Sequence, residues 1–290
     1  MNVLSLFDGI SCGQIALSNL GADFNYYCSE IDRYSTLVTQ SNFPDSIHLG
    51  DVENYNDWDL PKIDLLIGGS PCQGFSYAGK GLNFEDPRSR LFFTFVEVLE
   101  KIKPQYFLLE NVPMKQEHKD VITSYLSTEP IVINSNIFVP HNRKRLYWTN
   151  IPIERLPMKK DRSILDILQD DSEVDDLYYL TERQLSKLNL DFEWSNNEIK
   201  KHKGGRHQQD TIYHYSGIMG CLSAATHGAA RHLTKTFLPS GRIRRLTEIE
   251  CERLQGVPDD YTSYVSSSKR YESLGNGWTV PVIEHIFKGI

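Results

Sequence analysis

Val3-Leu4-Ser5-Leu6-Phe7-Asp8-Gly9-Ile10-Ser11-Cys12-Gly13 is the stretch on which the fold turns. An apolar run, a glycine-bearing loop and then helical spacing over Gln14–Asn19 read as strand, loop and helix. Glycine lets the backbone turn tightly and approach a ligand, and the helix N-terminus offers N–H groups to it. An acid, Glu30, lies about 20 residues further on, at the end of the next apolar run. There a carboxylate can accept from both ribose hydroxyls. Asp51, in Gly50-Asp51-Val52, ends the third run and can accept from an adenine amino group. Phe7 can stack on an adenine or fill the core. Carboxylates at the carboxyl ends of successive parallel strands line the crevice where such sheets bind nucleosides. A dinucleotide fold competes with a mononucleoside one at this point.

Working outward, short apolar runs recur at Tyr26–Ser29, Ile47–Leu49, Leu65–Ile67, Tyr106–Leu109, Ile131–Asn134 and Leu146–Trp148, with helical spacing over Leu91–Ile102. This alternation predicts an α/β fold with a parallel sheet covered by helices. Residues 1–150 are expected to form the catalytic and cofactor-binding domain. From 151 to 243 the pattern degrades into polar, turn-rich sequence, which predicts a small irregular lobe. Regularity returns over 244–290, expected to rejoin the first domain. Thr247-Glu248-Ile249-Glu250 is a capping-box signature before a helix ending at Gly256, and a last helix is expected near Val280-Pro281.

The 290 residues are 40% hydrophobic and 24% charged, ordinary for a soluble domain of this size. No run of about 18 apolar residues exists, which predicts no membrane span. Met1 to Leu6 lacks a basic region and cleavage site, so the expected compartment is the cytoplasm. Five scattered cysteines without a Cys-x-x-Cys predict neither a disulfide framework nor a metal site. The net charge of −7 speaks weakly against nucleic acid, but its distribution matters more. From Lys200 to Arg245 nine lysines and arginines face one acid, a local +8. That is an electrostatic footprint for a polyanion.

Chemistry concentrates in two further places. Gly68-Gly69-Ser70-Pro71-Cys72-Gln73-Gly74-Phe75-Ser76 follows the fourth apolar run. A cysteine held between proline and glycines among polar neighbours suits a thiolate nucleophile better than a buried small hydrophobe. Glu110-Asn111-Val112 ends the fifth run, and a carboxyl there is a candidate acid.

Taken in order, Phe7–Gly13, Glu30, Asp51, Pro71-Cys72-Gln73, Glu110-Asn111-Val112, Arg143-Lys144-Arg145, Arg244-Arg245-Leu246-Thr247 with Glu250 and Arg253–Gly256, and Gly275-Asn276 resemble the ordered motifs of the cytosine-C5 DNA methyltransferases. The resemblance covers nearly the whole chain except 151–243, where that family places its variable target-recognition region. Phe7–Ile10 and the Gly275–Ile283 tail are similar to the catalytic domain of the animal de novo enzymes. The Pro71–Ser76 loop is similar to bacterial and phage members, which implies a free-standing prokaryotic or phage enzyme. There are departures. His141 follows Pro140 where the family commonly has glutamine, and Ser11 and Cys12 stand where bacterial members often carry glycine.

The resemblance implies a Rossmann-like methyltransferase sheet and S-adenosyl-L-methionine as cofactor, leaving S-adenosyl-L-homocysteine. It implies double-stranded DNA as partner, with a flipped-out cytosine as the substrate. Cys72 would add to C6, Glu110 would assist at N3, and Arg143 and Arg145 would orient the base and the catalytic loop. Phe7, Asp8, Gly9, Ile10, Glu30, Ile31, Asp51, Val52, Pro71, Leu91 and Asn276 would line the cofactor pocket. Gln73, Ser76, Arg231, His232, Lys235 and Arg242 would contact DNA. A monomer is expected, with a separately encoded restriction endonuclease as candidate partner. Two alternatives stay open: a tRNA cytosine-C5 methyltransferase, whose usual Cys-Phe-Thr element is absent from this chain, and a catalytically inactive DNA-binding homologue.

Overall fold

The computed structural model describes residues 1–70, 87–186, 193–195, 197–202, 211–224 and 234–290, residues 87–89 as backbone only. Their contacts divide the chain into two compact units. One comprises 1–134, 144–156 and 282–290, the other 135–143 and 157–281.

The first unit carries Asn2–Leu6 (β1), Cys12–Asn19 (α1), Asn25–Ser29 (β2), Arg33–Asn42 (α2), Ile47–Gly50 (β3), Leu65–Gly68 (β4), Pro87–Ile102 (α3), Tyr106–Asn111 (β5), Gln116–Leu126 (α4), Ile131–Asn134 (β6) and Lys144–Thr149 (β7). All seven strands join one sheet in the order β3-β2-β1-β4-β5-β7-β6. β1, β2, β3, β4 and β5 are mutually parallel, and β7 runs antiparallel between β5 and β6. The α/β sheet expected from the sequence is thus present. The strand order reverses between β1 and β4, and ligands bind such sheets beyond the carboxyl ends of the strands at that point.

Leu4, Leu6, Leu66 and Leu109 of the central strands pack with Phe92, Phe95 and Trp148, all fully buried. Each such side chain stabilises the fold by about 1.5–3 kcal/mol relative to exposure. Gly68, the last residue of β4, suits this packing: a Cβ there would sit a tight 3.1 Å from both the Leu6 carbonyl and the Phe95 ring.

The second unit is less regular. It contains Glu182–Leu185 (α5), three strands of three residues each, Ile212–His214 (β8), Lys235–Phe237 (β9) and Ile243–Arg245 (β10), then Glu248–Gln255 (α6) and Ser267–Asn276 (α7). The closing helix Val280–Phe287 (α8) passes into the first unit at Val282. The strands form a sheet in the order β10-β9-β8. The capping box is present: Thr247 and Glu250 bond reciprocally at the start of α6, and Gly256 closes it at φ 70.

The boundaries differ from those expected at 150 and 244. Only 282–290 rejoin the first unit, whereas 244–281, with α6 and α7, belong to the second. The cause is polar anchoring. Gln169 N donates to Glu250 Oε1 at 2.9 Å, Tyr178 OH donates to Glu248 at 2.5 Å, and Arg253 donates to the Ile167 and Leu168 carbonyls. Arg244 and Glu250 form a bidentate pair at 2.6 and 2.7 Å with neither side chain exposed. Among the described residues no helix is long and apolar enough to cross a membrane.

Candidate active site

The loop after β1 alternates in hand. Phe7, Gly9 and Ser11 all adopt left-handed backbone, at φ 57, 59 and 56. At Gly9 the conformation alone asks for glycine, since an added Cβ would meet nothing within 4 Å. The turn aims Gly9 N at Glu30, the residue after β2, and they bond at 2.8 Å. The other carboxylate oxygen of Glu30 accepts from Ile31 N and Asp32 N at 2.8 and 2.7 Å. Three of a carboxylate's about four lone-pair positions are thereby taken. Glu30 is held rigidly at the strand end, with acceptor capacity left on Oε2.

Asp51 follows β3 and caps the 3-10 turn Val52–Asp57, accepting from Glu53 N at 3.0 Å. Its side chain is exposed, as is Ile31 at 76%. Loop, Glu30, Ile31 and Asp51 therefore sit at the carboxyl ends of β1, β2 and β3, three neighbours in the sheet. Two carboxylates, an apolar side chain open to solvent and a turned main chain suit a nucleoside: acceptors for its hydroxyls and amino group, an apolar surface for its base. Not every expected contact is alike. Ile10 and Val52 are 1% and 4% exposed, so their side chains belong to the core. Leu91 is half-buried on α3, and Asn276 ends α7 in the second unit. Pro71 lies outside the described residues.

Asp8 departs from the rest of its loop. Its carboxylate accepts from Tyr26 OH at 2.8 Å and from the Ser11 hydroxyl. Burial pushes its pKa up to about 6, against the pull of hydroxyls from Ser11, Ser5 and Tyr26 and with the charge of Glu30 adding to the rise. Tyr26 was legible only as a strand residue. Nothing in its spacing marked it as a partner of Asp8.

The surroundings of the Glu110 carboxyl are built by register. β5 pairs antiparallel with β7, Glu110 opposite Tyr147. The period of two in a strand places Arg145 on the same face, one diagonal step away. Arg145 Nε lies 2.9 Å from Glu110 Oε1. Next to Glu110, Asn111 is 1% exposed and its Nδ2 donates to Ser70 Oγ at 3.2 Å. The end of β5 is thus tied to the residue two positions before Cys72. Cys72, Gln73 and Ser76 themselves lie outside the described residues, as do Arg231 and His232.

Arg143 and Arg145, read together from the sequence, part company. Arg143 belongs to the second unit, 3% exposed. Its guanidinium donates to the carbonyls of Leu222, Gly275 and Gly277 at 3.1, 3.1 and 2.8 Å, and to Cys221 Sγ at 3.5 Å. It clamps main chain. His141 is fully buried, its Nε2 3.4 Å from Thr279 Oγ1, and the Thr279 hydroxyl donates to Gln255 Oε1 at 2.9 Å.

The basic footprint shrinks on folding. Arg244 is buried against Glu250. Arg242 stacks on the Tyr179 ring, 3.4 Å from its centroid, and pairs with Asp176 at 3.1 Å. Arg245 donates to the Leu177 carbonyl at 2.6 Å. Lys235 is half-buried on β9.

Comparison with known proteins gives the family. The chain is 32% identical to the type II methyltransferase M.NgoBI of Neisseria gonorrhoeae, over 97% of this chain and 90% of that protein. It is 29% identical to the type II methyltransferase M.HhaI of Haemophilus parahaemolyticus, over 99% and 93%. The fold is similar to that of the methyltransferase EhMeth of Entamoeba histolytica, with a TM-score of 0.73 at 17% identity over 100% and 97% of the two chains. All of residues 1–290 match one family, and the chain therefore belongs to the C-5 cytosine-specific DNA methylases.

Proposed function

We propose that the chain transfers a methyl group from S-adenosylmethionine to C5 of a cytosine flipped out of duplex DNA, with Cys72 as nucleophile and Glu110 as the acid at N3. The observation that carries this is the Glu110–Arg145 pair beside Asn111, which is bonded to Ser70 just ahead of Cys72. Family membership over the whole chain supports it.

Cytosine C5 is a poor nucleophile. Addition of the Cys72 thiolate at C6 forms an S–C6 bond and moves the ring electrons towards C5 and N3. Glu110 holds a proton at N3 as charge gathers there, help typically worth about 10²–10⁴-fold. Arg145 fixes the direction of that carboxyl. When bound, the cofactor supplies an electrophilic methyl group on a sulfonium. Glu30, Asp51, Ile31 and the Phe7–Gly9 main chain would hold its nucleoside. Loss of the C5 proton to a base and re-expulsion of the Cys72 thiolate restore aromaticity. The thiolate reaches C6 only after the base leaves the stack, which takes a few kcal/mol.

The second unit would read the target, with Lys235, Arg242, Arg231 and His232 towards DNA and Gln73 and Ser76 at the flipped base. The type II names of the relatives support a separately encoded restriction endonuclease as partner. We further propose a cytoplasmic monomer. The test is transfer of labelled methyl to duplex DNA and to tRNA, with Cys72→Ala alongside. Labelling of DNA as 5-methylcytosine, absent in Cys72→Ala, is expected. Labelling of tRNA alone, or of neither, would overturn the reading.

A further inference from the structure

The scheme above uses Gly9 and Glu30 but gives the Asp8 carboxylate no task, although it is the most elaborately held side chain of the loop. Tyr26 OH donates to Oδ1 at 2.8 Å, and Ser11 Oγ donates to Oδ2. The Ser5 hydroxyl on β1 also favours the ionised form of this carboxylate. Behind Ser11, Thr39 Oγ1 donates to Ser11 Oγ at 3.1 Å. Hydroxyls from β2 and the start of α1 thus converge on one carboxylate, with Thr39 of α2 backing Ser11.

Ser11 shows what the carboxylate does. It is fully buried, left-handed at φ 56, and stands at the N-cap of α1. A serine there ordinarily turns its hydroxyl to the helix N–H groups. Here its side chain makes no capping bond and faces Asp8 instead. Non-glycine residues in left-handed backbone persist only when their surroundings over-determine them. The main chain of Asp8 is fixed too, its N–H donating to the Ser29 carbonyl at 3.1 Å, and the next N–H, of Gly9, reaches Glu30.

We propose that Asp8 is a positioning residue for the cofactor: its ionised carboxylate, gripped by Tyr26 and Ser11, sets Gly9 and Ser11 in their left-handed turns and so aligns Glu30 and the loop without touching the ligand. The inference rests on the S-adenosylmethionine reading above. The groups facing Asp8 are neutral or acidic: Tyr26 and Cys28 on β2, and Glu30 beyond it. Burial among them pushes the carboxyl up to about 6. Once protonated it must itself donate, one hydroxyl loses its acceptor, and the grip loosens. Cofactor affinity therefore falls as pH drops through that value.

The test is binding of S-adenosylhomocysteine by calorimetry between about pH 5 and pH 8, on wild type, Asp8→Asn, Tyr26→Phe and the milder Thr39→Val. Wild type is expected to bind about tenfold more weakly at the acid end, the scale of one hydrogen bond to a charged group. Asp8→Asn should be weak and flat across the range. Tyr26→Phe, having lost a donor to the carboxylate, should shift the midpoint upward and raise KM for the cofactor while kcat holds. Thr39→Val should bind measurably less tightly with its fold intact. Flat binding by wild type, or Asp8→Asn binding as tightly as wild type at pH 8, overturns the proposal. So does weak binding by Asp8→Asn alone with Tyr26→Phe and Thr39→Val unaffected, which assigns Asp8 a direct contact. Wild type that binds at no pH instead brings down the cofactor reading itself.

Discussion

Replacing Arg145 by alanine removes the guanidinium whose Nε lies 2.9 Å from Glu110 Oε1. At 2.9 Å and an effective dielectric constant of about 20, two unit charges attract by about 6 kcal/mol before desolvation is deducted. The side chains are 14% and 11% exposed, so the pair stands nearer the buried than the open-surface case. Breaking a buried pair costs about 3–5 kcal/mol and an exposed one about 0–1. A loss of about 2–3 kcal/mol in the positioning of Glu110 follows, which is a slowing of about 30- to 150-fold. That fits within the about 10²–10⁴-fold an acid contributes. The assay is single-turnover methyl transfer with cofactor and DNA saturating, on Arg145→Ala, Glu110→Gln and the double variant. If Arg145 acts through Glu110, adding Arg145→Ala to Glu110→Gln slows the reaction little further. Equal slowing in both backgrounds would refute the reasoning, because Arg145 would then serve the reaction by another route.

Asn111→Ala removes the bond to Ser70 and is expected to lower kcat about tenfold. Its KM for the cofactor should be unchanged, and a change confined to that KM in steady-state kinetics would contradict the role given to Asn111. Gly256→Ala places a Cβ in left-handed backbone at φ 70 and 2.3 Å from Pro281 Cδ. The conformation alone costs about 1–2 kcal/mol, so the melting temperature should fall by about 4 °C or more; an unaltered melt would count against this account of the turn. Asp8 gives a pH effect on stability. Its carboxyl is raised from 3.8 to about 6, so the folded chain binds more protons than the unfolded one between those values. Its contribution is fully present below 3.8 and is lost as pH rises through about 6, a loss of about 3 kcal/mol. Asp8→Asn should therefore melt higher than wild type at pH 7.5 and lose that advantage at pH 4, although it binds cofactor less well. Equal melting temperatures at both pH values would exclude it.

What the sequence disclosed follows from what each element buries. β1, β4 and β5 are buried along nearly their whole length, so they read as largely apolar runs. Thr247 and Glu250 announced α6 because a capping box is local chemistry. α2 gave no such signal: it buries only Ser35, Val38 and Thr39, too few apolar positions for a period to emerge. Strand-end carboxyls were legible because an apolar run marks its own end: Glu30 follows β2 and Glu110 stands near the end of β5. The site was illegible where the partner cannot be read from spacing, whether six residues away or more than a hundred. Arg244 counted as part of a basic face until Glu250 was seen to neutralise it, and Arg143 looked like a companion of Arg145 until its contacts with Leu222 and Gly275 separated them. Register, invisible in a single strand, is what joins Glu110 to Arg145.

The Arg143 clamp bears on how such a chain can diversify. Three of its four acceptors are peptide carbonyls, which every amino acid supplies alike. Side chains along the segment it grips can be exchanged by drift or recombination while the grip persists, provided the backbone path is kept. Gly275 marks the edge of that freedom, because any side chain there would collide with the backbone at Ala224, 2.2 Å away. Substitution along that segment can thus proceed piecemeal on an unchanged attachment, which is held by main chain and one glycine.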